Sequence, residues 1–115
     1  MKYIKRLLVL SLISYILIGN TNANAATYNG YLYLPGQSIR SGQFAQFELS
    51  YLPGSNSGAV IKMTNYGNGA GYSRIKGFNS NGWASPWVSR NSNGFNNINI
   101  PKAPSYHAQI GEGDI

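Results

Sequence analysis

The sequence predicts an all-β protein: a small antiparallel β-sandwich, jelly-roll or immunoglobulin-like, with about six or seven short strands. Three observations predict this class. Apolar and polar residues alternate with a period of two in most segments after residue 26. Gly, Pro, Asn and Ser interrupt these runs too often for a helix to form. Every candidate strand region contains Tyr, Phe or Trp, whereas disordered chains are poor in aromatic residues.

The first 25 residues have the three-part plan of a secretory signal peptide. Basic residues at positions 2, 5 and 6 precede an uncharged apolar run of 12 residues, and small residues occupy the −3 and −1 positions before a cleavage site after Ala25. A membrane-spanning helix needs about 20 apolar residues, so a membrane anchor is the weaker interpretation. We therefore expect a signal peptide at residues 1–25 and a single β-sandwich domain at residues 26–115.

Cysteine usage and charge restrict the compartment and the partners. The chain has no cysteine, which excludes a disulfide and a lipoprotein anchor, and export without cysteine suits a bacterium better than a eukaryote. We expect a secreted or cell-envelope protein, extracellular or periplasmic. After Ala25, six basic residues and three acids leave a net charge of +3. This mild charge does not predict nucleic-acid binding, but it favours anionic surfaces such as wall polymers or lipid head groups.

The first predicted strand is Thr27–Leu34. Its aromatic or apolar residues occupy both faces, with Leu32 on one face and Tyr31 and Tyr33 on the other. We therefore expect either a central strand or a strand whose tyrosine face is a surface. A polar loop at 37–42 should follow.

The second predicted strand, Gln43–Leu52, has the alternation of a half-buried strand. Its inward residues are expected to be Ala45, Phe47, Leu49 and Tyr51. The third, Ala59–Tyr66, should bury Ala59, Ile61 and Met63.

The fourth predicted strand, Tyr72–Phe78, places two aromatic and two basic residues on one face, and an Asn-Gly hairpin turn at 79–82 follows it. The region Trp83–Arg90 contains Pro86, which predicts an edge strand or a bulge. Strands at Phe95–Ile100 and Ser105–Ile110 complete the sheets. The last one should pair with an earlier strand, and the polar tail at 111–115 is predicted to be loose.

No catalytic or metal-binding constellation is evident. The only histidine, His107, lies on the polar face of the last predicted strand, and no serine has the context of an activated nucleophile. The acids Glu48, Glu112 and Asp114 are too few and too scattered for paired acid–base work or a calcium loop, and their expected role is solubility. We therefore predict a protein that is not an enzyme and has no cofactor and no metal.

The most suggestive surface combines aromatic rings with basic side chains. Flat rings stack on sugars or lie at a membrane interface, while cations attract phosphate or carboxylate groups. Both tryptophans are also good candidates for the core, because large rings dominate burial in small domains. The predicted ligand-binding residues are Tyr66, Tyr72, Arg74, Lys76, Trp83 and Trp87.

These observations predict an exported, non-enzymatic binding protein that recognises a glycan or an anionic cell-surface polymer. Two alternatives stay open. One is a secreted cationic antibacterial or toxin-like protein that acts on membrane surfaces. The other is a self-associating structural subunit, a homo-oligomer that pairs through exposed strand edges.

Overall fold

A computed structural model describes residues 27–54, 57–69 and 71–114. The predicted signal peptide at 1–25 lies outside the described residues. Eight strands form: β1 Tyr28–Leu34, β2 Ile39–Ser41, β3 Ala45–Tyr51, β4 Ala59–Asn65, β5 Gly71–Asn79, β6 Val88–Arg90, β7 Gly94–Ile100 and β8 Tyr106–Asp114. Among these residues no helix is long and apolar enough to cross a membrane.

The strands form two antiparallel sheets of four strands each. Sheet I has the order β1-β8-β5-β6, and sheet II has the order β2-β3-β4-β7. The predicted antiparallel β-sandwich is therefore confirmed, with eight strands in place of six or seven. The prediction that the last strand pairs with earlier ones is also confirmed, because β8 lies between β1 and β5.

The core lies between the sheets and follows the alternation of the sequence. Ala45, Phe47 and Leu49 of β3 are buried, as are the alternate residues of β4 that were predicted to point inward. Tyr51 is the exception, since 58% of it is exposed and its ring meets the ring of Tyr106 edge-on at 6.0 Å. Tyr51 is the last residue of β3, so its ring lies at the edge of the core and stays partly in solvent.

Two predictions about the first part of the chain are wrong. β1 is not central but an edge strand of sheet I, because β8 is its only partner. The alternative expectation, a tyrosine face at the surface, is confirmed: Leu32 and Leu34 face the core while Tyr31 and Tyr33 are exposed on the outside. In addition, the predicted loop at 37–42 contains β2, which pairs with β3 and is too short to show a periodic pattern.

The prediction of a loose tail is also wrong. Strand β8 continues to Asp114, because it is paired on both sides: Glu112 lies opposite Tyr28 of β1 and Ser73 of β5. Only 2% of Glu112 is exposed. Its carboxylate accepts backbone N–H bonds of 2.7–3.0 Å from the three residues 43–45, which connect β2 to β3. Glu112 therefore joins the two sheets instead of serving solubility.

Candidate functional site

The outer surface of sheet I carries a row of aromatic residues that crosses three strands. In the antiparallel register, His107 of β8 lies opposite Tyr33 of β1 on one side and opposite Phe78 of β5 on the other. Directly paired residues share a face of the sheet, so these three rings lie side by side. Tyr31 lies on the same face, two residues before Tyr33.

The rings are close enough to form one continuous surface. The imidazole of His107 stacks on the ring of Phe78, with centroids 4.4 Å apart and planes 5° from parallel. The Tyr33 centroid lies 6.3 Å from His107 and 6.2 Å from Tyr31. Almost half of each tyrosine is exposed, 46% of Tyr31 and 49% of Tyr33. The result is an apolar, ring-covered surface open to solvent.

Two cations continue this surface toward the other edge of the sheet. The guanidinium carbon of Arg74 lies 4.3 Å from the ring centroid of Trp87, and its Nη2 donates a 3.1 Å hydrogen bond to the side chain of Asn29. The ammonium of Lys76 lies between two rings, 5.6 Å from Phe78 and 5.8 Å from Trp87. We call the set the aromatic face; it consists of Tyr31, Tyr33, Arg74, Lys76, Phe78, Trp87 and His107.

The surroundings of His107 affect its charge. Burial among the neighbouring rings disfavours the imidazolium and lowers the pKa of His107 from the usual 6.5. At neutral pH His107 is therefore an uncharged ring of the aromatic face, and the positive charge there comes from Arg74 and Lys76.

The outer surface of sheet II has a different character. Glu48, Lys62 and Asn97 lie in one row across β3, β4 and β7. Phe95 is the one aromatic residue among the strand residues facing outward from this sheet, and 59% of it is exposed. Its ring lies 5.0 Å from the ammonium of Lys62. The ring-rich surface is therefore specific to sheet I, and the high tyrosine content of the chain does not by itself account for it.

Four of the six residues predicted to bind ligand lie on the outer side of sheet I. Arg74, Lys76 and Trp87 belong to the aromatic face, and Tyr72 extends it along β5. Tyr72 also lines a cleft of about 330 Å³ beside Arg90. The Arg90 guanidinium is occupied there, because its nitrogens donate to Ser92, Asn93 and Asn96 at 3.0–3.1 Å.

The structure places the other two predicted residues elsewhere. Trp83 is half-buried in the loop after β5 and packs against the hydrophobic core. Its backbone exchanges hydrogen bonds with Asn79, so it helps to close the hairpin turn. Tyr66 lies in the loop after β4, where its backbone bonds to Phe44 and Asn93 and its side chain is exposed.

Sequence reasoning did not include Tyr31, Tyr33, Phe78 and His107 in the site. The period of two does predict that each of them faces outward within its own strand, because they alternate with buried residues. What was missing is the pairing of β8 with β1 and β5, which brings residues from three distant segments into one row.

The described residues hold no group of three or more His, Cys, Asp or Glu side chains arranged to bind a metal ion. Comparisons with protein-family models, with curated proteins and with solved structures find no match to this chain.

Proposed function

We propose that the protein is an exported, non-enzymatic binding protein whose aromatic face recognises a glycan or an anionic cell-envelope polymer. The observation that carries this proposal is the concentration of rings and cations on one sheet. The aromatic face, on the outer side of sheet I, has five rings and two cations, whereas Phe95 is the one outward ring on the described strands of sheet II. Burying these rings in a core would have stabilised the fold more, so their exposure favours a binding role.

The arrangement matches the chemistry of a polysaccharide. A sugar ring has an apolar C–H surface that packs on a flat aromatic ring, while its hydroxyl groups stay at the edges. Rings repeated along the face, from Tyr33 through Phe78 to Trp87, provide several such surfaces for successive sugars. Lys76 and Arg74 lie among them and attract carboxylate or phosphate groups on the polymer.

The test compares rings on the two sheets. Tyr33→Ala and Trp87→Ala remove exposed rings from the aromatic face, and Phe95→Ala removes an exposed ring from sheet II as the matched control. Pull-down of the purified protein by insoluble cell-wall polysaccharide should weaken roughly tenfold or more for each of the first two, about 1.4 kcal/mol of binding free energy. The Phe95 variant should bind like the wild type. Equal binding by all three variants contradicts the proposal.

A second assay separates this function from action on membranes. Dye release from vesicles that contain anionic lipid should be absent at concentrations that saturate the polysaccharide. Dye release that is lost in Tyr33→Ala and Trp87→Ala would assign the aromatic face to a lipid surface and overturn the proposal.

A further inference from the structure

A second candidate site lies at the open side of the sandwich, between the edge strands β1 and β2. It is a cleft of about 360 Å³, lined among others by Tyr28, Tyr31, Gln37, Ile39 and Arg40. This volume is near the lower end of the range, about 300–1,000 Å³, for clefts that hold small ligands. Tyr31 lines the cleft and also belongs to the aromatic face, so the two sites are contiguous.

Arg40 is the most informative residue of the cleft. It lies opposite Phe47 in the β2–β3 register, on the inward side of its strand. Its guanidinium carbon lies 3.5 Å from the ring centroid of Tyr28. Its Nε is buried and, in the part of the chain that the structure describes, has no hydrogen-bond partner. No salt bridge or hydrogen bond of the described residues uses the other nitrogens either.

The other two arginines after residue 26 differ from Arg40. Arg90 donates to three oxygens and stabilises its own loop. The Nε of Arg74 is also buried without a partner among the described residues, but its Nη2 donates to the side chain of Asn29. A guanidinium has five N–H donors in a planar fork, and buried donors are normally paired. Arg40 differs from both because none of its guanidinium nitrogens makes a hydrogen bond within the described residues, so every acceptor has to come from outside them.

The position of Arg40 is supported by its neighbours. The ring of Tyr28 lies over Gly30, where a Cβ would collide with it, so the glycine makes room for the ring on which Arg40 stacks. Glu112 lies opposite Tyr28, but its two oxygens are occupied by the backbone N–H groups of residues 43–45. Because both carboxylate oxygens of Glu112 bind the backbone of residues 43–45, this acid does not pair with Arg40.

The edge of β1, which lines the same cleft as Arg40, offers a further donor. The N–H of Tyr33 donates to the carbonyl of Gln37 at 2.7 Å, so it points away from β8. Because N–H directions alternate along a strand, the N–H of Tyr31 points to the same edge. The cleft thus combines a stacked guanidinium with a backbone N–H, and both favour an oxygen anion.

We propose that this cleft binds a carboxylate or phosphate group carried by a sugar, with Arg40 as its anchoring residue. The anion takes the free side of the guanidinium fork, and the attached sugar ring packs against Tyr31. This inference rests on the proposed function and deepens it: the preferred polymer is an acidic glycan, which lies along the aromatic face and inserts an acidic group between β1 and β2.

The test is an NMR titration of the purified, isotopically labelled protein with glucuronate, glucose 6-phosphate and glucose. The first two probes distinguish a carboxylate from a phosphate, and glucose is the neutral control. We expect one or both acidic probes to shift the Nε–H signal of Arg40 and the amide of Tyr31, with glucose leaving Arg40 unshifted. Because this measurement uses the wild-type protein, it does not depend on whether a variant folds. An unshifted Arg40 signal with both acidic probes overturns the inference.

Variants then separate a specific site from general charge attraction. Arg40→Gln should weaken binding of the acidic probe roughly tenfold or more, and Arg40→Lys should also weaken it, because lysine has no planar fork. Lys62→Gln removes the same charge from the outer surface of sheet II. It should change binding less than about twofold, because Lys62 does not line the cleft and an exposed charge is largely screened by salt. Equal losses for Arg40→Gln and Lys62→Gln overturn the inference.

The two proposals fail in different ways. If Arg40→Gln abolishes binding of the acidic probe while Tyr33→Ala and Trp87→Ala leave polysaccharide binding intact, the cleft is confirmed and the function proposed for the aromatic face is wrong. If the ring variants lose polysaccharide binding while Arg40→Gln binds the acidic probe as tightly as the wild type, the cleft is wrong and the aromatic face stands.

Discussion

Glu112 should be the most important charged residue for the stability of this fold. Its Oε1 accepts the N–H groups of Phe44 and Ala45 at 2.9 and 3.0 Å, and its Oε2 accepts that of Gln43 at 2.7 Å. The perturbation is Glu112→Gln, which keeps the shape of the side chain and removes its charge. The one amide oxygen can still serve the two buried N–H groups, but the NH₂ group then faces the N–H of Gln43, donor against donor.

The cost follows from the three bonds. A hydrogen bond to a charged group contributes about 1.5–3 kcal/mol, and a neutral one about 0.5–1.5 kcal/mol, so the two retained bonds lose roughly 1 kcal/mol each. The third bond is lost and leaves an unpaired donor, which costs about 1–3 kcal/mol. We therefore expect the free energy of unfolding to fall by about 3–5 kcal/mol. In a domain of this size a loss of about 3 kcal/mol lowers Tm by roughly 12–24 °C.

Urea unfolding followed by tryptophan fluorescence measures this loss, because Trp83 is half-buried against the core. Glu48→Gln is the matched control: the substitution is the same, but Glu48 is exposed on β3, and the expected change is within about 0.5 kcal/mol. If the free energy of unfolding of Glu112→Gln is within about 1 kcal/mol of that of Glu48→Gln, with the same dependence on urea, the three bonds do not stabilise the fold to the expected extent.

Two further predictions concern His107 and the glycines of β5. Because the pKa of His107 is lowered in the folded protein, its stabilising contribution is complete above pH 6.5 and is lost as the pH falls through the folded-state pKa. Tm measured from pH 7.5 to pH 5 should therefore decline more in the wild type than in His107→Gln, and parallel declines would refute this. At Gly71 a Cβ would overlap the ring of Phe44, whereas at Gly77 it would meet the end of the Ile100 side chain at 2.9 Å. Gly71→Ala should cost about 1–3 kcal/mol in chemical unfolding, more than Gly77→Ala, and the reverse order would show that Phe44 yields more easily than Ile100.

The strands that could be predicted are those long enough to show the alternation of buried and outward residues. The bounds of β3, β4 and β7 lie within three residues of the prediction, because alternation between a buried and an outward face is a local pattern. β2 has three residues, Ile39–Ser41, which is too few for any period to show. Its place in sheet II depends on the later strand β3.

The aromatic face could be predicted only in part, for a related reason. Arg74, Lys76 and Phe78 are alternate residues of one strand, so the period of two is enough to predict that they share a face. Tyr33 and His107 are 74 positions apart and meet because β8 pairs with β1. No local pattern specifies which strands pair, and the sequence alone therefore left open whether the tyrosines of β1 lie in a central strand or at a surface.

Glu112 shows the same limit for a charged residue. An acid between two glycines near the end of the chain has the composition of a solvated tail, since buried acids are rare unless paired. Here the carboxylate is paired with the backbone N–H groups of residues 43–45. Because every residue except proline has such a group, the sequence does not mark these as the partners.

The same bonds connect the stability of the fold to the proposed anion cleft. Residues 43–45 lead from the end of β2 into β3, and Glu112 holds them against β8. Since β8 also pairs with β1, this contact fixes the separation of the two edge strands that bound the cleft. Gly42 is required there because a Cβ would collide with the Glu112 carboxylate. Glu112 and Arg40 therefore differ in role although they lie at the same end of the sandwich. Glu112 is paired with backbone N–H groups and holds the two sheets together. Arg40, stacked on Tyr28, stays available to an anion from outside.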